Sequence, residues 1–288
     1  MMRYATAVAF RMALEERIRQ RSSAEGTTVW RMRKRVAIER FLARLQASPD
    51  SPWLLKGAFA LDLRFRDRAR STKDLDLGID ISLLGKPPLE RPEIAARLRQ
   101  AAEHALPDFF VFGIPGEGEE IVQEPGARAY RFIVQAALAG RPFEEFKVDA
   151  ATRPEVVEPI EEVPESDTLA FAEIVPVRFR AISLSQQFAE KVHAFTLPWE
   201  NRENTRVKDL VDITLILESS PPEPGMARVA LERVFQGRGT HSLPTGIPDP
   251  PPTWAGSYAL LAREIGLAHV GMDGATEFLR THWSRIFA

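Results

Sequence analysis

The stretch RARSTKDLDLGID, residues 68–80, contains the pattern around which this chain is organised. Its second half alternates polar and apolar residues with the period of a β-strand, so Asp74 and Asp76 project from one face and three apolar residues from the other. Two carboxylates on one strand face are unusual in a buried sheet. Unit charges about 4 Å apart repel by roughly 4 kcal/mol at an effective dielectric near 20, so we expect protons or a cation to balance this pair.

The segment upstream predicts a second feature of the same site. WLLKG, residues 53–57, reads as a short buried strand, and AFALDLRFR, residues 58–66, reads as a helix. Gly57 therefore lies between a strand end and a helix start, where its backbone can approach a phosphate and the first helical amides can bind an anion. A strand, a glycine, a helix and a strand with two aspartates outline a site for a nucleoside triphosphate.

A later strand is expected to add a third carboxylate. Strand-like runs cover residues 109–114, 129–138 and 143–151, and the last two are joined by AGRP, which predicts a hairpin. In FEEFKVDAA the alternation places Lys147 and Asp149 on one face. If this strand neighbours the aspartate-bearing strand, three carboxylates converge. Such a cluster suits Mg²⁺ or Mn²⁺, which take oxygen ligands and keep positions for water and substrate phosphates.

Composition indicates a folded protein and narrows its chemistry. Apolar residues make up 44% and charged residues 27% of the 288 positions, which is ordinary for a globular protein. The absence of cysteine excludes disulfides, thiolate metal sites and thiol catalysis. The five histidines are scattered without metal-ligand spacing, so the sequence favours carboxylates as metal ligands and a hard cation as the metal.

Hydropathy and charge patterning bear on location and partners. No apolar run approaches the ~20 residues of a membrane span, and the N-terminal stretch lacks the apolar block of a signal peptide, so we expect a cytoplasmic protein without membrane contact. The net charge is only −2, yet residues 1–48 carry an excess of Arg and Lys and residues 141–167 an excess of Asp and Glu. A basic arm could hold a phosphodiester backbone, although Arg-rich helices are more often solvated faces.

The chain divides into three predicted regions. Residues 1–50 contain two apolar helical stripes and predict a basic helical region. Residues 51–164 contain the strand patterns and predict a mixed-sheet core. Residues 165–288 predict a helical domain interrupted by proline-rich connectors. We therefore predict an α+β fold with the active site in the cleft between the core and the C-terminal helices.

Four motifs, in this order, resemble those of the AbiEii-type nucleotidyltransferase toxins, which include the MenT toxins. They are LLKGAFALDLRFRDRARSTKDLDLGID (residues 54–80), FKVDAA (146–151), QQFAEKVHAF (186–195) and RVKDLVDI (206–213). Four motifs in the right order are far more specific than any one of them. The resemblance spans a little over half of the chain and implies the nucleotidyltransferase fold.

The resemblance also implies the roles of individual residues. The implied metal ligands are Asp74, Asp76 and Asp149; the implied catalytic residues are Asp74, Asp76, Lys191 and Asp209; the implied substrate-binding residues are Lys56, Gly57, Ala58, Arg70, Thr72, Lys147 and Asp212. Lys191 is expected to contact the triphosphate. Ala58 departs from the family, which usually has a second glycine or a serine there, so a hydroxyl contact to phosphate is not available at this position.

The reaction implied by the resemblance is metal-dependent transfer of nucleotides from a nucleoside triphosphate to RNA. The implied acceptor is the 3′ end of a tRNA, and the implied outcome is a block of translation. A cognate antitoxin is also implied, and in some members it phosphorylates a hydroxyl in the loop before the aspartates. Thr72 or Ser71 would be that hydroxyl here, and a phosphate would add nearly two negative charges beside the metal carboxylates.

Two other functions remain open from the sequence. One is a non-catalytic member of the fold that binds nucleic acid or a partner protein. The other is a metal-dependent glycosyltransferase, in which a D-x-D motif also holds a nucleotide diphosphate; the order of the motifs counts against it. GIPGEGEE, residues 113–120, is rich in glycine but acidic, and it predicts a loop rather than a phosphate cradle.

Overall fold

A computed structural model describes residues 3–80, 83, 89–124, 127–152, 159–198 and 204–288. In chain order its helices and strands are α1 (Ala7–Ala24), α2 (Val29–Leu45), β1 (Trp53–Lys56), α3 (Gly57–Phe65), β2 (Asp74–Ile79), α4 (Arg91–Ala102), β3 (Phe110–Gly113), β4 (Glu119–Glu124), β5 (Ala127–Leu138), β6 (Arg141–Ala151), β7 (Ile160–Pro164), β8 (Arg178–Ile182), α5 (Leu184–Thr196), α6 (Val207–Ser219), α7 (Pro224–Arg238), α8 (Ala255–Glu264) and α9 (Met272–Ile286).

Within these ranges, eight strands form one mixed sheet. The strand order is β3-β5-β6-β2-β1-β8-β7, and β4 pairs with β5 outside this path. β2 runs parallel to β6 and β1 runs parallel to β8, whereas the other neighbours are antiparallel. The predicted α+β fold, with a mixed sheet, N-terminal helices and C-terminal helices, is confirmed.

Three strands, β4, β7 and β8, lie where the sequence does not predict a strand. β4 begins at Glu119, inside the acidic glycine-rich segment for which a loop is predicted, and the left-handed glycines of that segment precede it. β8 lies in the region predicted to be helical and pairs with β1 through Leu55 and Ala181. The helical pattern that follows β8 begins only after Ser183, whose hydroxyl caps α5 by accepting a hydrogen bond from the Gln186 amide.

The apolar face of the sheet is covered by α1, α2 and α4. Phe41 on α2 packs against Phe112 on β3 and Phe146 on β6, with ring centroids 5.3 Å and 5.7 Å apart. Leu75 and Leu77 of β2 are fully buried in this core. Because successive residues of a strand point to opposite faces, the aspartates of β2 point away from these helices, toward the other face of the sheet.

The basic residues of α1 and α2 are used inside the fold. Arg40 and Arg44 are buried, and both donate to the Asp108 carboxylate, while Arg40 also binds Glu165 at 2.7 Å. Other ion pairs or hydrogen bonds to distant parts of the chain hold Arg11, Arg21, Arg31, Arg33, Lys34 and Arg35. These contacts engage much of the N-terminal positive charge, so the two helices do not form a free basic arm.

The C-terminal helices form a second apolar cluster, to which the fully buried Tyr258 belongs. Leu61 of α3 and Ala69 of the loop before β2 belong to the same cluster. The C-terminal helices therefore pack directly beside the segment that leads into the aspartates. Among the described residues, no helix combines the length and apolar character needed to cross a membrane.

Candidate active site

Four charged residues lie in register across the face of the sheet that is turned away from α1, α2 and α4. Lys56 on β1 is opposite Asp76 on β2, Asp76 is opposite Asp149 on β6, and Asp149 is opposite Arg131 on β5. Directly opposite residues of neighbouring strands project on the same face and lie close together. The expectation that Asp149 adjoins the β2 aspartates therefore agrees with this register.

Asp74 begins β2 and lies in the next position along the same face. Its partner on β6 is Lys147, which is exposed, whereas Asp74 itself is half-buried. Thr72 is hydrogen-bonded to the Asp74 backbone, since its hydroxyl accepts from the amide at 3.4 Å and donates to the carbonyl at 3.3 Å. Thr72 thus fixes the start of the strand that carries both aspartates.

Gly57 lies directly against Asp76. Its φ angle is +68°, and a β-carbon at this position would lie 1.9 Å from Asp76 Oδ2. Only glycine fits, because both the backbone conformation and the contact exclude a side chain. The Gly57 carbonyl accepts a hydrogen bond from Gln187 on α5, and α3 begins at Gly57, so a helix N-terminus and a carboxylate meet at this point.

The environment of Asp76 disfavours its charged form. Burial raises the pKa of Asp76 to about 6, and the neighbouring Asp149 and Asp74 add to this effect, while Lys56 and Lys191 oppose it. The physical cause is the cost of holding negative charge in a poorly hydrated site beside other carboxylates. A cation at this position would relieve that cost.

Arg131 is a site residue that the sequence does not predict. Its guanidinium forms a two-point ion pair with Asp149, with Nε to Oδ1 and Nη2 to Oδ2 both at 2.7 Å. This ion pair orients the Asp149 carboxylate. The alternation on β5 places Arg131 on an open face, yet only the register of β5 against β6 brings it to Asp149.

The implied residues from the third and fourth motifs form a second, adjoining cluster. Lys191 on α5 binds Asp209 at 2.8 Å and Asp212 at 2.9 Å, both on α6. Arg70 forms a two-point ion pair with Asp212, with both contacts at 2.8 Å. Arg70 belongs to the loop before β2, so this cluster connects the sheet to the C-terminal helices.

The ionisation of this cluster follows from its pairing. Burial alone would lower the pKa of Lys191, but Asp209 and Asp212 raise it above its usual value. Burial alone would raise the pKa of Asp212, but Lys191 and Arg70 hold it below its usual value. Lys191 is therefore a permanent cation, and its charge already lies within electrostatic reach of Asp76.

Glu190 and Gln187 on α5 are two further residues at this site that the sequence does not single out. Glu190 lies 3.5 Å from Lys56 Nζ and therefore orients that cation from the helical side. The Gln187 side chain is buried, and its Oε1 accepts no hydrogen bond in the described part of the chain. Its amide group donates to Gly57, so this unsatisfied acceptor lies near the start of α3.

The donor groups fit a divalent cation bound together with a nucleotide. Among the described residues, no group of three or more acidic or histidine side chains could hold a metal ion by itself. Mg²⁺ in nucleotide sites is usually held by one or two carboxylates plus substrate phosphates and water, rather than by a protein cage. Asp74 and Asp76 provide such a pair, whereas Asp149 as a metal ligand stays a prediction.

The structure also shows where Ala58, to which the sequence draws attention, and His193 lie. Ala58 is buried in the first turn of α3, so only its backbone amide is available to a ligand. His193 is fully buried, with its Nε2 hydrogen-bonded to Thr240 at 2.9 Å and its ring against Phe235. These contacts place its ring in the packing between α5 and α7.

A family model for the nucleotidyl transferase AbiEii toxin of type IV toxin–antitoxin systems matches residues 40–282. The chain belongs to this family. The resemblance read from the four motifs is therefore confirmed, and the match extends over more of the chain than the motifs do. As an AbiEii family member, the chain is a nucleotidyltransferase toxin, which decides against the non-catalytic and glycosyltransferase alternatives. Membership also implies a nucleotide substrate and an antitoxin partner.

A solved structure supports the fold of this AbiEii family member. The chain is similar to MenT4, the nucleotidyltransferase toxin Rv2826c from Mycobacterium tuberculosis H37Rv, with a TM-score of 0.58 and 16% sequence identity. The match covers 96% of this chain and 89% of the MenT4 chain. No protein of curated function matches the sequence.

Proposed function

We propose that this toxin transfers nucleotides from a nucleoside triphosphate to an RNA acceptor, the 3′ end of a tRNA, and thereby blocks translation in the cytoplasm. The observation that carries the proposal is the register across β1, β2 and β6. It aligns Lys56, Asp76 and Asp149 on one face of the sheet, directly beside the start of α3 at Gly57. The carboxylates, which can bind a cation, therefore lie beside Lys56 and the α3 N-terminus, which can bind an anion. A complex of a metal ion with a triphosphate requires both kinds of group.

The chain's own groups would divide the substrate between them. The backbone amides of Gly57 and Ala58, at the N-terminus of α3, bind the triphosphate, and Lys56 adds a positive charge beside them. Asp74 and Asp76 would hold Mg²⁺ or Mn²⁺, with Asp149 as the third carboxylate. When bound, the metal neutralises the phosphates and stabilises the charge that develops on their oxygens.

In the proposed reaction, a terminal hydroxyl of the RNA attacks the α-phosphorus in line, and pyrophosphate leaves. A phosphorus–oxygen bond to the acceptor forms as the bond between the α-phosphorus and its bridging oxygen breaks, and the proton of the acceptor hydroxyl passes to solvent. Lys191, held by Asp209 and Asp212, is a fixed positive charge that offsets the charge on the leaving pyrophosphate. Arg70 and Asp212 fix the loop before β2 and so orient the aspartates.

The antitoxin is proposed to act on the loop before β2. Thr72 is hydrogen-bonded to the backbone of Asp74, and Ser71 precedes it, so a phosphate on either hydroxyl would lie close to the metal-binding pair. Its charge would repel the incoming triphosphate and compete for the cation. Mass spectrometry of this loop, after incubation with the cognate antitoxin and ATP, would detect the added phosphate.

The function is tested by incubating the purified protein with each labelled nucleoside triphosphate, total RNA and either Mg²⁺ or Mn²⁺. We expect label in the tRNA fraction, and no label with Asp76→Ala, which should also lose toxicity when expressed. Asp50→Ala, at an exposed position outside the site, is the matched control and should remain active. Label in protein or in another RNA class would contradict the proposed acceptor, and an active Asp76→Ala variant would contradict the assigned site.

A further inference from the structure

We propose that Trp30 is a stacking platform for a nucleobase of the single-stranded RNA acceptor as it enters the active site. This inference rests on the proposed function, because it assigns part of the acceptor-binding surface of the same site. The ligand is a segment of single-stranded RNA, which offers a nucleobase and backbone phosphates. The residues involved are Trp30, Lys34 and Lys73.

Trp30 is an exposed tryptophan in the first turn of α2. It exposes 43% of its surface, whereas Trp53, Trp254 and Trp283 expose between 2% and 5%. A single exposed apolar side chain is ordinary on a protein surface and does not by itself indicate a site. The surroundings of Trp30 supply the argument.

Two lysines contact the ring of Trp30. Lys34 Nζ is 4.6 Å and Lys73 Nζ is 5.4 Å from the ring centroid. Lys34 is buried and fixed, since it donates to the Glu145 carbonyl at 3.0 Å and pairs with Glu144 at 3.6 Å, so the exposed Lys73 is the cation available to a phosphate. An aromatic face flanked by cations is the combination by which proteins hold single strands, because bases stack on the ring and phosphates pair with the cations.

The position of Lys73 connects this surface to the site. Lys73 immediately precedes Asp74, so its Cα lies about 3.8 Å from that of the first aspartate. Lys147, exposed and opposite Asp74 on β6, extends the positive surface onto the sheet. Trp30 and Lys73 therefore lie on the α2 side of the start of β2, and Lys147 lies on the aspartate face, so a bound strand would pass round the Asp74 end of β2.

The positions of the two binding groups indicate that the base on Trp30 belongs to the RNA acceptor and not to the nucleoside triphosphate. Gly57 and Lys56, the groups proposed to bind the triphosphate, lie beside Asp76 rather than Asp74. β1 pairs with β2 only as far as Asp76, so Asp74 projects past the end of β1. The triphosphate and the acceptor thus approach from the two ends of the pair, and Trp30 lies at the acceptor's end.

When the strand binds, a base stacks on Trp30, and Lys73 moves from the ring to a backbone phosphate. Base–aromatic stacking in single-strand complexes changes affinity by roughly tenfold or more per base. We therefore expect Trp30→Ala to raise the KM for tRNA about tenfold and to change the KM for the nucleoside triphosphate by less than about twofold. Trp30→Phe should retain most of the affinity, because it keeps an aromatic face.

The kinetic test compares wild type, Trp30→Ala, Trp30→Phe and Leu260→Ala with total tRNA as the acceptor. Leu260 on α8 is an apolar residue that exposes 69% of its surface, more than Trp30 does, and it serves as the control. If Trp30→Ala raised only the KM for the triphosphate, the base that stacks on Trp30 would belong to the nucleotide substrate. That result would overturn the proposal. Equal KM values for wild type and Trp30→Ala would overturn it as well.

A binding test separates this inference from the proposed function. Titration of a single-stranded RNA oligonucleotide into wild type should quench tryptophan fluorescence more than the same titration into Trp30→Phe. This difference needs no transfer, so it decides the inference even if wild type labels no RNA or if Trp30→Ala fails to fold. Identical quenching in the two proteins would overturn it.

Discussion

The contact between Gly57 and Asp76 leaves no space for a side chain at residue 57. A β-carbon there would lie 1.9 Å from Asp76 Oδ2 and 2.6 Å from Asp76 Cγ. The same glycine has φ +68°, a conformation that costs other residues about 1–2 kcal/mol. One residue thus sets both the start of α3 and the position of a carboxylate on the neighbouring strand.

We expect Gly57→Ala to displace the Asp76 side chain or the start of α3, and thereby to abolish nucleotide transfer. Its free energy of unfolding should fall by at least about 1–2 kcal/mol from the backbone conformation alone. Gly78→Ala on β2 is the matched control, because a β-carbon there would make an ordinary contact at 3.6 Å with Lys56 Cδ. Transfer assays and thermal melts on both variants check this, and an active Gly57→Ala protein would contradict it.

A second prediction concerns metal binding by Asp76. Without metal, Asp76→Asn should be at least as stable as wild type, since it removes a poorly hydrated carboxylate that adjoins Asp149. With Mg²⁺ and nucleoside triphosphate, wild type should gain melting temperature through ligand binding, whereas the variant should gain little. EDTA should abolish transfer by wild type. Equal ligand-induced shifts in the two proteins would show that Asp76 does not hold the metal.

The ion pair between Arg70 and Asp212 should couple the sheet to the C-terminal helices. Arg70→Ala leaves the buried Asp212 carboxylate with Lys191 as its one charged partner among the described residues, so we expect a loss of about 3 kcal/mol in the free energy of unfolding. A double-mutant cycle with Asp212→Ala measures the coupling. As a control, Arg228→Ala breaks an exposed pair with Glu232 and should cost less than about 1 kcal/mol. Equal costs for the two arginines would contradict the prediction.

A fourth prediction concerns the pH dependence of stability through Glu39 on α2. Burial, together with the nearby Glu165, raises the pKa of Glu39 to about 8, although Ser166 hydrogen bonds and Arg35 oppose this. Glu39 therefore keeps its proton in the folded state over a range in which the unfolded chain loses it, from about pH 4.5 to about pH 8. Stability contributed by Glu39 should be complete below this range and should decrease as the pH rises through it.

Thermal melts of wild type and Glu39→Gln, compared at each pH, isolate this contribution. The melting temperature of wild type relative to Glu39→Gln should fall from about pH 4.5 to about pH 8 and then become constant. Glu39→Gln is suitable because its amide can keep hydrogen bonds to Ser166. A difference that does not change with pH would show that Glu39 is ionised throughout.

Local patterns in the sequence determined the elements that carry the site. Alternation along β2 predicted that Asp74 and Asp76 share a face, and the position of Gly57 predicted a strand-to-helix turn. These predictions succeed because side-chain direction in a strand and tolerance of positive φ are properties of a few consecutive residues. The order of the four motifs identified the family for a similar reason, since it needs no knowledge of contacts.

Only the tertiary structure decided which charges meet. Arg131 reaches Asp149 through the register of β5 against β6, and Arg40 and Arg44 are buried against Asp108 by packing across more than sixty residues of chain. The basic N-terminal sequence was compatible with a solvated face or with an arm that holds RNA, whereas many of its arginines form ion pairs and hydrogen bonds inside the fold. Strand register and helix packing are set by the whole apolar core at once, so no local pattern reveals them.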